Sequence, residues 1–144
     1  MGFGVDRVPS NYKVLGLHEL QTTFTTSATH TTIQDEGLTQ SIVYGPSRIL
    51  RVTFTGHPYA SGGAQGISLR FVRGATVFAF FQTEALPPGD AVSRTFVKVF
   101  NGPATGATET FKVQIGALTS NTAVNSYADA SFTRQLIVED LGPQ

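Results

Sequence analysis

The chain has 144 residues, 10 Lys+Arg against 10 Asp+Glu and no cysteine, so its formal net charge is zero. Dispersed bases on a neutral chain leave no electrostatic footprint for nucleic acid or anionic lipid, and the missing thiols exclude disulfides, thiolate metal sites and cysteine nucleophiles. Charged residues make up 14% of the chain, against about 25% in an average soluble domain, and 19 Thr and 10 Ser take their place.

In chain order, Met1 to Gly16 comes first and mixes Phe3, Val5, Val8, Tyr12, Val14 and Leu15 with Gly and Pro in no strict period. It carries neither the basic start nor the apolar run of a signal peptide. It is expected to be an extended arm (residues 1–16) that binds a partner, with extension of the first sheet by Tyr12 to Leu15 as the alternative. From there on the dominant period is two, the signature of strands. Leu20, Thr22 and Phe24 alternate with Glu19, Gln21 and Thr23. Asp35-Glu36-Gly37 reads as a turn before a strand from Leu38 to Tyr44. Leu50, Val52 and Phe54 alternate with Arg51, Thr53 and Thr55, and Gly56 to Gly66 reads as a loop.

Ile67, Leu69 and Phe71 alternate next, and Arg73-Gly74-Ala75 turns tightly into Thr76 to Gln82, which predicts a hairpin. In that second strand Phe78 and Phe80 are expected to face opposite to Val77, Ala79 and Phe81. Both faces are then apolar, and Phe78 and Phe80 become candidates for a subunit interface unless the arm covers them. Leu86-Pro87-Pro88-Gly89-Asp90 is a break. Strands follow over Val92 to Phe100, around Phe111, Val113 and Ile115, over Ala123 to Ala130, and over Gln135 to Leu141. No run reaches the roughly 20 apolar residues needed to span a bilayer, so no membrane insertion is expected.

Short strands separated by turn signals, with no convincing helical stripe, predict an all-β chain: a single antiparallel β-sandwich over residues 17–144, jelly-roll-like, behind the arm. Its core is expected from Phe24, Leu50, Val52, Phe54, Ile67, Leu69, Phe71, Phe111, Val113 and Ile115.

Catalytic and metal signals are sparse. His18, His30 and His57 share no ligand spacing. Glu139 and Asp140 are strand neighbours on opposite faces, so they form no carboxylate dyad unless the ladder bulges there. No nucleophile elbow is present, and Ser61-Gly62-Gly63-Ala64-Gln65-Gly66 lacks the ending of a phosphate loop. No catalytic, metal or cofactor-binding residue is expected, and the chain is read as no enzyme. His57, Tyr59 and Gln65 are weak candidates for holding a glycan.

The ending Ser131 to Pro143, with Leu136-Ile137-Val138-Glu139-Asp140-Leu141-Gly142-Pro143 at its close, resembles a β-rich module of head-decoration, fibre and minor tail proteins of actinobacterial tailed phages. The hairpin Leu69 to Ala75 and the run Phe111-Lys112-Val113-Gln114 are similar more loosely. The resemblance implies a non-enzymatic structural protein on the exterior of a virion, commonly a homotrimer. Its partners would be itself and a major capsid protein or a tail protein. A capsid decoration protein is the first expectation. A minor tail or tail-tip protein that binds a host-surface glycan is the alternative.

Overall fold

The computed structural model describes residues 12–26, 33–60, 66–84, 92–118 and 123–144. Ten strands run through them: β1 (Lys13–Leu20), β2 (Phe24–Thr25), β3 (Gln34–Tyr44), β4 (Arg48–Ala60), β5 (Ile67–Arg73), β6 (Thr76–Gln82), β7 (Arg94–Asn101), β8 (Ala107–Ala117), β9 (Val124–Tyr127) and β10 (Arg134–Pro143). All pairings are antiparallel. One sheet runs β1-β10-β4 with β7 beyond β4, and the other runs β3-β8-β5-β6. The short strands β9 and β2 prolong the first sheet past the ends of β10 and β1. With β2 and β9 set aside, first pairs with last, second with seventh, third with sixth and fourth with fifth. That is a long hairpin rolled into two sheets, a jelly roll.

Alternation in β4 explains the first sheet. Leu50, Val52, Phe54, Gly56, Pro58 and Ala60 are buried, while the residues that alternate with them are partly exposed. Leu136 and Val138 of β10 lie beside them, and Leu38, Ile42, Leu69, Phe71, Phe111 and Val113 come from the facing sheet to complete the core. Ile67, Ile115, Ala117 and Val124 form a second cluster, with Phe24 packed against it but only partly buried. Burying side chains of this size is worth about 1.5–3 kcal/mol each.

Four local expectations are corrected. The run around Leu20 to Phe24 is two strands, β1 and β2, interrupted at 21–23. Asp35-Glu36-Gly37 is no chain reversal: β3 passes through it as a bulge, the register against β8 shifting between Asp35 and Thr39 while Gly37 takes φ +85°. Gly is the residue that adopts such a backbone without a Cβ penalty. Gly56 to Ala60 is strand rather than loop, because β4 continues to Ala60 with His57, Pro58, Tyr59 and Ala60 paired to β9, and Ser61 to Gln65 of the expected loop lie outside the described residues. Pro58 lacks an N–H, and a strand position whose second flank needs no ladder bond accommodates it. Lys13 to Leu20 is paired strand, so the boundary at residue 16 falls inside β1, as the extended-sheet alternative has it.

The hairpin at Gly74 forms as expected, but β6 does not alternate simply. Leu69 faces Phe81 and Phe71 faces Ala79, whereas Val72 faces Val77, which leaves Phe78 as the bulged residue. A bulge turns the following side chains by one step. Phe78 therefore packs against Phe71, Phe100 and Phe111 with Phe81 also inward, and Phe80 alone of the three remains half exposed outside. The pairing of Phe78 and Phe80 on one face is thus overturned.

Candidate functional site: an open side and an aromatic end

Among the described residues, no three His, Asp or Glu side chains gather as metal ligands could. The acidic residues of the C-terminal strand are engaged in structure. Glu139 accepts Arg51 Nε at 2.7 Å and Nη2 at 2.9 Å, and Tyr12 donates its hydroxyl to the same carboxylate. The Arg51 hydrogen bonds, helped by Tyr12, hold the Glu139 carboxyl below its usual range against the opposing effect of burial. Asp140 takes Arg48 Nε at 2.9 Å and the Gly142 N–H at 2.9 Å, and Gly142 forms a bulge at φ +126°. Each carboxylate ends on its own arginine, so the motif Leu136 to Pro143 serves as a central strand clamped to β4.

The buried pair between the sheets was not legible in the sequence. Glu36 of β3 is fully buried, and Arg134 of β10 lies with Nη1 3.3 Å from Glu36 Oε1. Arg134 donates instead to backbone carbonyls, Nη1 to Glu36 O at 2.7 Å and Nε to Thr22 O at 2.9 Å. Neither carboxylate oxygen of Glu36 has an aligned hydrogen bond. Desolvation pushes the Glu36 carboxyl up to about 7, with Ser126 and Arg134 pulling weakly the other way. Beside this pair, the Thr39 N–H donates to His18 Nδ1 at 3.0 Å, and Gly16 lies so close to Gln40 that a Cβ there would meet its Oε1 at 2.6 Å. Together these contacts close the side of the sandwich where β1 meets β3.

The opposite side is built from β6 and β7. Among the described residues, β6 pairs only with β5 and β7 only with β4. Aromatic rings hold these two edges together, Phe78 to Phe100 at 5.2 Å and Phe81 to Phe96 at 5.4 Å between centroids. Arg73 caps the stack over Phe100 at 5.2 Å and pairs with Glu109 at 3.4 Å. Outside the stack, Val77 and Phe80 on β6 and Val97 and Val99 on β7 are exposed. Strand β6, Thr76-Val77-Phe78-Ala79-Phe80-Phe81-Gln82, carries no charge. Edge strands normally carry charge, Pro or cover to prevent pairing.

The remaining expected residues distribute as follows. Phe3, Val5, Val8 and Gln65 lie outside the described residues. Val14 is exposed opposite Glu139, and Leu15 sits at the bulge of β1, partly buried against the core. His57 and Tyr59 are two apart on β4 and point to the outer face, opposite Tyr127 and Asn125 of β9. Phe132, which sequence reasoning missed, folds onto this group with its ring 5.1 Å from His57 and 6.4 Å from Tyr127. A turn holds it there. Asp129 Oδ1 accepts the N–H groups of Ser131 and Phe132 at 2.7 and 2.9 Å, and Tyr127 donates its hydroxyl to Oδ2. The Tyr127 hydrogen bond and the two N–H groups keep the Asp129 carboxyl below its usual range. The spacing Asp129-x-Ser131-Phe132 is an Asx-turn signal that could have located it.

No family model matches the chain, and no curated protein sequence matches it. Among solved structures it is similar to dimeric latent PorU from Porphyromonas gingivalis at 11% identity, over 90% of this chain and 13% of that one, with a TM-score of 0.46. It is similar to the infectious bursal disease virus VP2 subviral particle at 9% identity, over 94% of this chain and 43% of that one, with a TM-score of 0.45. A third likeness is to the enzymatically active domain of bacteriophage CBA120 tailspike protein 4, at 15% identity over 94% of this chain and 20% of that one, with a TM-score of 0.33. The chain thus spans well under half the length of the first and third of these, and less than half of the second.

Proposed function

We propose that the chain is a non-enzymatic structural protein of a tailed-phage virion. It docks on the particle exterior as a homotrimer, as a capsid decoration protein. The observation that carries this reading is the open side of the jelly roll: two neighbouring edge strands, one without charge, with Val77 and Phe80 on one flank and Val97 and Val99 on the other. Three such wedges close a ring when the β6 flank of each subunit packs on the β7 flank of the next, a heterologous contact that leaves no free patch. The C-terminal motif supports the phage assignment through the resemblance of Leu136 to Pro143. A major capsid protein is then its partner on the particle. A tail-tip placement, with a tail protein as partner, is the second reading, and the exposed aromatic end at Phe132 favours it.

The test has two parts. Antibodies against the chain are expected to label intact particles of the phage that encodes it, and light scattering at micromolar concentration is expected to give a trimer mass from the 15.4 kDa chain. Phe80→Glu is expected to yield monomers that remain folded, with a thermal midpoint that no longer depends on protein concentration. Particles lacking the chain overturn the virion reading, and a monomeric parent overturns the trimer.

A further inference from the structure

We infer that the outer face formed by His57, Tyr59, Tyr127 and Phe132 is a binding site for a neutral saccharide. The inference is independent of the particle site the protein occupies.

Cross-strand pairing places His57 opposite Tyr127 and Tyr59 opposite Asn125, so their side chains share one face of the β4–β9 ladder. Side chains opposite each other in an antiparallel pair stand close enough to make one surface. The inward residues of the same segments, Ala60, Val124 and Ser126, are buried, which leaves the rings on the outside. Phe132 then leans over His57 and Tyr127 while keeping half its surface exposed. Exposing a large apolar ring on a loop is ordinarily unfavourable, yet this loop is pinned. The Asp129 carboxylate holds two N–H groups and a hydroxyl, and the Asp129 N–H donates to Phe132 O at 2.8 Å. Presenting an apolar ring in a fixed position lowers the ordering cost of binding.

The chemistry of the face selects the ligand. Aromatic faces are electron-rich and attract the polarised C–H groups of a pyranose ring, while their rims need hydrogen-bond partners. The Tyr59 hydroxyl supplies such a rim here beside the His57 ring, whose Nδ1 is buried, while the buried Asn125 amide beneath them accepts the Thr25 hydroxyl and stiffens the face. The single charge in the group, Asp129, already has three donors, and no Lys or Arg belongs to the cluster. A phosphorylated or strongly anionic ligand would find no cation, so an uncharged ligand with apolar faces and hydroxylated edges fits best.

The full chain has no tryptophan and four tyrosines, so a sugar stacking on Tyr59 and Tyr127 can be followed by tyrosine fluorescence and by NMR. The probes are neutral oligosaccharides of glucose, galactose, mannose and rhamnose, each titrated to about 10 mM. At least one is expected to shift the signals of residues 57, 59, 125, 127 and 132 together. Phe132→Ala and Tyr59→Ala are each expected to weaken it by about tenfold with unchanged thermal unfolding, and Phe132→Tyr to retain it. Asp129→Asn, a positioning change, is expected to weaken it less. The inference is overturned if no oligosaccharide binds, if Phe132→Ala and Tyr59→Ala bind as the parent does, or if only a proline-rich peptide probe shifts these signals.

Discussion

The two long sides of this sandwich are finished in different ways. Where β1 meets β3, the sheets are tied by polar contacts: His18 to the Thr39 backbone, Gly16 against Gln40, and Arg134 reaching Glu36 and Thr22 across the interior. Where β6 meets β7, they are joined by four phenylalanine rings, and exposed apolar residues flank the contact. Both arrangements satisfy the requirement that apolar faces be covered. Exposed apolar residues occur on both sides, Val14 and Leu17 on β1 and Val43 on β3 at the first, Val77, Phe80, Val97 and Val99 at the second; at the second they flank a joint made of aromatic rings, which is non-directional, whereas polar ties use up their donors and acceptors.

Three substitutions sharpen this contrast, taken from the largest expected effect to the smallest. Arg134→Met removes the cation beside Glu36 and leaves the Glu36 and Thr22 carbonyls without their donor, which together costs about 3–5 kcal/mol. Chemical denaturation at pH 8 is expected to show it, and the loss should shrink as pH falls and Glu36 takes up a proton. An unchanged midpoint would mean that the closed side is not held by this pair.

Glu36→Gln acts in the other direction. The folded-state value near 7 lies above the ordinary 4.5, so the folded protein binds this proton more tightly than the unfolded chain. The contribution of this group to stability is full below 4.5 and is lost as pH rises to about 7. The neutral amide is therefore expected to stabilise the protein at pH 8 by on the order of 3 kcal/mol and to have little effect at pH 4. Denaturant midpoints at the two pH values check it; equal effects at both would place the carboxyl at its ordinary ionisation.

Phe96→Ala tests the aromatic joint. A fully buried Phe→Ala change costs about 3–5 kcal/mol, and Phe96, partly buried, is expected to lose about 2. Thermal unfolding measures it. A cost as large as that of Arg134→Met would show that the two sides carry equal weight.

Much of the fold was readable from local pattern. Leu50-x-Val52-x-Phe54 and Phe111-x-Val113-x-Ile115 point inward because strand side chains alternate, and that period belongs to the backbone itself. The Gly74 hairpin was legible for a similar reason: a left-handed residue, at φ +60°, between two apolar runs. By contrast, Phe78 defeated the same rule, since one bulged residue reverses the facing of what adjoins it and no local signal marks the step. The site residues divide likewise. His57 and Tyr59 stood out by type and spacing, while Phe132 and Tyr127 joined them only through pairing of β4 with β9 and the turn at Asp129.

What the sequence determined by itself was the all-β class, the inward faces of β4, β5 and β8, and the absence of net charge. These depend on neighbours two residues apart and on composition. The tertiary structure alone decided that Glu36 would lie beside Arg134, 98 positions away, that its carboxyl would be held near 7, and that β1, β3, β6 and β7 would be among the edges. Which strand lies at an edge, and which charge is buried, depends on how distant segments pair around the roll, and an alternating pattern is equally compatible with many such pairings.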